Sequence, residues 1–203
     1  MATTASMLGA PPRLLTVEQF REFVNRPENK SRRFELLHGE VHEVSRPHQL
    51  HGTILGCFTR ILGNYSESHE IGSVSSGDAG VVLDAEAGTV VGPDVAFFLD
   101  GGEMDQIPAR WSTVMPAVVV EILSPSNRPN EVSDKIDEYL AAGVNAVWVA
   151  DPDEKSITIH VLGADPVVRV SDDPVSHPLL PGFQAKASDF FSLWGDRRRN
   201  RSS

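Results

Sequence analysis

The run AVVVEIL at residues 117–123 is apolar on both faces except for Glu121. A continuous β-branched run of this length belongs in a strand covered on both sides, at the centre of a sheet. A carboxylate inside such a strand is costly unless it is paired or coordinated, so Glu121 demands a partner. After a turn at Ser124-Pro125-Ser126-Asn127, EVSDKIDEYLAAG places Val132, Ile136, Tyr139 and Leu140 on one helical face, with Gly143 as its stop. NAVWVAD then supplies a second apolar strand. Strand, helix and strand in this order make a crossover between parallel neighbours. The fold class is therefore α/β, with a central mixed sheet flanked by helices.

The remaining elements are legible by period. Thr16 precedes VEQFREFV with Gln19 three residues on, the pattern of a capping box on a short surface helix. RRFELLHGEVHEV alternates on either side of His38-Gly39 and predicts a hairpin with a two-residue loop. In that register Glu35, Glu40 and His42 share one face, while Phe34, Leu36 and Val41 share the other. From His48 to Tyr65, Ile54, Leu55, Phe58, Ile61, Leu62 and Tyr65 recur at helical spacing, and His51 lies on the same stripe, pointing inward. DAGVVLD and TVVGPDVAFFL read as a second hairpin, SITIHVL and PVVRVS as a closing one, and LLPGFQAKASDFF as a terminal wrap. Residues 1–13 and 195–203 lack apolar periodicity and read as tails, leaving one domain over residues 14–194.

The chain has 18 Lys and Arg against 28 Asp and Glu, a net charge of −10. The acidity is concentrated in residues 61–194, which carry a net −15, while the nine C-terminal residues carry +3. This balance argues against a protein that coats nucleic acid by bulk electrostatics, although it leaves room for a local site. The lone Cys57 excludes an intramolecular disulfide and a cysteine-built zinc site, and fits a reducing cytoplasm. No run is long and apolar enough for a membrane span, and the first residues lack the features of a signal peptide.

Glu121 has company. Asp94 follows Pro93 among apolar residues, and Lys135 borders the apolar face of its helix, where it can reach back over the end of the Glu121 strand. Singly, each has a plain alternative: a salt bridge for Glu121, a turn aspartate for Asp94, a surface lysine for Lys135 and a core histidine for His51. Together, two acids on neighbouring strands and a lysine beyond them suit metal-assisted phosphodiester hydrolysis. Asp94, Glu121 and the backbone carbonyl of Ile122 would hold Mg²⁺ with water positions left open. Mn²⁺ suits the same oxygen ligands. The other histidines form no HxH or HExxH pair, and no G-x-S-x-G elbow surrounds Ser124 or Ser126. Tyr139 and Trp148 read as core.

In this combination and order, RFELLHGEVHEVS, HGTILGCFTRIL, GPDVAFF, VVVEILSPSNR, DKIDEYLAAGV, VWVADP and HPLLPGF resemble the Uma-type family of restriction endonuclease-like proteins, within the PD-(D/E)XK nuclease superfamily. The resemblance runs from Leu15 to Phe191. It implies a restriction-endonuclease-like core with an added N-terminal hairpin, Asp94 as the Pro-Asp metal ligand, Glu121 as the second acid and Lys135 as the lysine. That lysine stands on the helix after the strand, where the wider superfamily has it two residues after the acid, at Leu123 here. His51 matches the family's histidine on the first core helix, and Glu35 and Glu40 match the acids of its opening hairpin. The implied activity is a Mg²⁺-dependent DNA endonuclease, and the resemblance alone suggests a homodimer. Two other readings stay open: a binding or structural protein on a nuclease fold, and a metal-dependent hydrolase of another substrate.

Overall fold

The computed structural model describes residues 14–193 except Gly101, Pro108, Ser126 and Asn127. The two expected tails, and the second half of the Ser124-Pro125-Ser126-Asn127 turn, lie outside the described residues. Helix α1 (Val17–Val24) starts with the reciprocal bonds its sequence predicts: Gln19 N donates to Thr16 Oγ1 at 3.3 Å, and Thr16 N donates to Gln19 Oε1 at 3.1 Å. Only Phe20 of this helix is fully buried.

Strands β1 (Arg33–Leu37) and β2 (Glu40–Val44) form the expected hairpin around His38-Gly39. Its register opposes Glu35 to His42 and Leu37 to Glu40, so the polar face assigned from alternation is present. Helix α2 (Gln49–His69) is longer than its apolar stripe, ending at Glu70 in the left-handed conformation. The serines at 66 and 68 interrupt the sequence pattern without ending the helix. Strand β3 (Ser73–Ser76) carries no apolar alternation, and its antiparallel pairing with the strand over Val95–Phe98 comes from the sheet edge available there.

Strands β4 (Val81–Asp84) and β5 (Thr89–Val91) form the second hairpin, but the stretch read as one long strand is broken. Gly92, Pro93 and Asp94 leave the ladder, and β6 (Val95–Phe98) begins in a different sheet. The break has a physical cause: Pro93 has no N–H for a ladder. Gly92 packs so closely on Asp78 that a Cβ there would lie 2.8 Å from Asp78 Cβ. The first hairpin joins β5 and β4 in a four-stranded antiparallel sheet ordered β2-β1-β5-β4.

The second sheet is built on β7 (Val118–Ile122), α3 (Pro129–Ala141) and β8 (Ala146–Asp151), with β7 and β8 parallel as the crossover requires. Antiparallel strands β9 (Ser156–His160) and β10 (Val167–Val170) extend it, giving the order β10-β9-β8-β7-β6-β3. Strand β7 is interior, consistent with its apolar run. One face of this sheet, with Val118, Val120 and Trp148, packs on Ile54, Phe58, Leu62 and Tyr65 of α2. The opposite face, with Val119, Val147 and Val149, packs on Ile136, Tyr139 and Leu140 of α3. The terminal wrap contains β11 (Pro174–Val175), β12 (Ala185–Lys186) and a 3₁₀ turn over Ala187–Phe191, which stacks Phe190 on Phe58 at 4.4 Å. Among the described residues, no helix is long and apolar enough to cross a membrane.

Gly92→Ala should lower stability by about 1–3 kcal/mol, the usual cost of forcing extra volume into a packed contact. The shift of the urea midpoint against wild type measures it.

Candidate active site

Asp94 sits where the chain passes from the four-stranded to the six-stranded sheet. The β6–β7 ladder pairs Val95 with Val120, so Asp94, one residue before β6, stands beside the C-terminal end of β7. Alternation turns Glu121 toward the α3 side of the sheet, the side of Val119, while Asp94, at the bend outside the ladder, reaches His51 of α2. The two carboxylates are thereby neighbours at one end of β7, at the junction of the two sheets.

Each carboxylate has one oxygen held by the protein. Asp94 Oδ2 accepts from the Ile122 N–H at 2.7 Å and lies 3.2 Å from His51 Nε2. Glu121 Oε1 accepts from the Tyr139 hydroxyl at 2.6 Å and from Lys135 Nζ at 3.1 Å. Lys135 Nζ also donates to Glu35 Oε1 at 3.0 Å, and the Gly92 N–H donates to that same oxygen at 3.0 Å. The chain of donors therefore runs from the inter-sheet link through Glu35 and Lys135 to Glu121 and Tyr139, joining β1, β7 and α3.

Burial pushes the Glu121 carboxyl up to about 7; Lys135 opposes the shift, and the charges of Asp94 and Glu35 add to it. Burial works against the Lys135 ammonium, but Glu121 and Glu35 outweigh it and hold its pKa above the ordinary lysine value. The hydrogen bond to Asp94 raises His51 against the opposing effect of burial. His51 is 8% exposed, and its Nδ1 is buried with no hydrogen-bond partner among the described residues.

The structure thus gathers Asp94, Glu121, Lys135, Glu35 and His51 into one cluster and sets Ile122 against it through its backbone. Glu40 is not part of the network: it is exposed at the start of β2, and its side chain makes no hydrogen bond or ion pair among the described residues. Two members were missed by sequence reasoning. Tyr139 was read as core, and its i, i+4 spacing from Lys135 on one helix face was the available signal. Gly92 contributes only a backbone N–H, for which the sequence holds no signal beyond the Gly-Pro pair.

The donor set fits a hard divalent cation. Asp94 Oδ1 and Glu121 Oε2 have no donor among the described residues, so each acid keeps an oxygen for a cation. A strand residue turns its N–H and C=O to the same side, so the Ile122 carbonyl faces the Asp94 side with its N–H. Among the described residues no three His, Cys, Asp or Glu side chains form a cage of their own. Two carboxylates and a carbonyl suit Mg²⁺, which keeps several of its waters.

A family model described as "Uma2: Putative restriction endonuclease" matches residues 17–188. The fold is similar to the crystal structure of a putative nuclease belonging to DUF820 from Anabaena variabilis ATCC 29413, with a TM-score of 0.73 and 20% sequence identity. That similarity covers 87% of this chain and 97% of the other. None of the curated proteins matches the sequence.

Because the Glu121 pKa is higher in the metal-free fold than in the unfolded chain, its contribution to stability is full below pH 4.5 and is lost as pH rises through about 7. Glu121→Gln should remove that decline and make the metal-free protein more stable than wild type by about 1–3 kcal/mol at pH 8. Urea titrations from pH 4.5 to 8 in EDTA, compared between the two proteins, test this.

Proposed function

This chain belongs to the Uma2 restriction endonuclease-like family, and from that premise we propose that it is a metal-dependent endonuclease hydrolysing phosphodiester bonds in DNA. The observation that carries the proposal is the pair of carboxylates at the end of β7, each with one oxygen held by internal donors and one without a donor among the described residues, beside a half-buried lysine. In this reading Asp94, Glu121 and the Ile122 carbonyl hold Mg²⁺ or Mn²⁺. Either ion, when bound, would polarise a phosphoryl oxygen and lower the pKa of water.

The chain's own residues supply the rest. Lys135 remains protonated across the physiological range, so its role is to orient the attacking water and to stabilise developing phosphate charge; it is not a base. Glu35 acts as its anchor, because the Gly92 N–H fixes the oxygen that binds Lys135. A lysine held by two carboxylates keeps its place beside the site. His51 holds the Asp94 oxygen that also accepts from Ile122, and so aims the other oxygen outward. Cutting both strands of a duplex is simplest with two such sites, so a homodimer belongs to the proposal, read by light scattering of the purified protein.

Purified protein should nick supercoiled plasmid or degrade single-stranded DNA with Mg²⁺ or Mn²⁺ and be inactive in EDTA. Asp94→Ala and Glu121→Ala should each lower the rate at least about 100-fold, the loss expected when a group acting on the transition state is removed. Cleavage that survives EDTA, or survives either substitution, would sink the metal-dependent reading. Metal binding without cleavage of any DNA tested would move the search to other phosphodiesters.

A further inference from the structure

Tyr139 lies wholly inside the protein, on α3, among Val119, Val147, Val149 and Leu140. An apolar ring would fill that space. Instead a phenol carries its hydroxyl to within 2.6 Å of Glu121 Oε1, the oxygen that also accepts from Lys135. Burial and the nearby negative charge of Glu121 hold the Tyr139 pKa well above the ordinary tyrosine value, so the group is a permanent donor. With two donors on Oε1, the lone pairs of that oxygen are engaged and Glu121 is left with Oε2 as its reactive atom. Asp94 shows the same arrangement from the other side, with Ile122 N–H and His51 on Oδ2 and with Oδ1 free of donors among the described residues.

We propose that Tyr139 is a positioning residue of the metal site, its hydroxyl locking Glu121 in the rotamer that presents Oε2, beside Asp94 Oδ1, to a divalent cation. The inference rests on the metal-dependent reading above but concerns binding alone. Lys135 can hold Glu121 only loosely for this purpose, because it is shared with Glu35 and sits on a long flexible stem. A buried phenol has two side-chain torsions and a ring fixed by packing, so it defines the position of the carboxylate more sharply. The helix spacing matters as well. Four residues separate Lys135 from Tyr139, so one face of α3 delivers both donors to the same oxygen.

The test is Mn²⁺ binding by calorimetry to wild type and Tyr139→Phe, which removes one hydroxyl from the buried ring and keeps its shape. The expected result is a Kd raised about tenfold, about 1.4 kcal/mol, with one site still present and the Tm in EDTA within a few degrees of wild type. An unchanged Kd overturns the inference while leaving the nuclease proposal intact, and a wild type that binds no Mn²⁺ overturns both. A second measurement avoids dependence on the variant's folding. The chain has two tyrosines, and Tyr65 donates to the Pro181 carbonyl instead. In protein labelled with 3-fluorotyrosine and assigned through Tyr65→Phe, saturating Mg²⁺ should shift the ¹⁹F resonance of Tyr139 while that of Tyr65 stays in place. A Tyr139 resonance indifferent to Mg²⁺ would overturn the inference.

Discussion

The hydrogen bond from the Ile122 N–H to Asp94 joins the two sheets at the point where chemistry is possible. Asp94 lies on the three-residue link between β5 and β6, and Ile122 is the last residue of the buried β7. The Gly77 N–H, which donates to the Asp94 carbonyl, the Gly92 N–H, which donates to Glu35, and His51, beside the Asp94 carboxylate, hold the rest of the link. Through the Ile122 bond, a carboxylate is fixed at 2.7 Å from a central strand and its second oxygen is turned outward. Charge-assisted bonds of this kind are stronger and more directional than neutral ones, which suits a group whose placement decides a neighbour's.

The cost of the arrangement falls on Glu121. A carboxylate in a strand of valines stays folded there because Tyr139 and Lys135 donate to it, and even so its pKa rises to about 7. Apolar residues of similar size would give a more stable core at this position. In the proposed reading a bound cation compensates this burden, and groups with such perturbed proton affinity concentrate at functional sites. Glu35 extends the same logic to the half-buried Lys135, which is held between two acids.

The four-stranded sheet has a role in this balance as well as in packing. Its hairpin carries Glu35 on the face toward α3 and buries Leu36 on the other, with Phe20, Val82 and Val90. The same strand β1 therefore anchors a small core and supplies the acid that steadies the lysine. Gly92 serves both sheets, since it packs against Asp78 and donates its N–H to Glu35. Only a residue without a Cβ can make both contacts.

Much of this was legible in the sequence wherever a periodicity or a costly residue left a mark. The β7–α3–β8 crossover, the α1 capping box and the His38-Gly39 hairpin follow from local pattern, and Glu121 announced itself as an acid in an apolar strand. Asp94, Lys135, His51 and Glu35 were singled out as one site by residue type and by resemblance, but which atoms touch was not, because residues about 100 apart in the chain meet only through the packing of β1 against α3. The break at Gly92-Pro93-Asp94 was hidden for a related reason. Local alternation runs through the stretch, and only the presence of two different sheets shows that its halves belong apart. Tyr139 was the least visible of all, since a phenol on an apolar helix face looks like core until the strand opposite places a carboxylate at its hydroxyl. The sequence by itself determined which elements form and which residues are expensive to bury. The tertiary structure alone decided which oxygen of each acid is held, because that depends on donors brought from three separate segments.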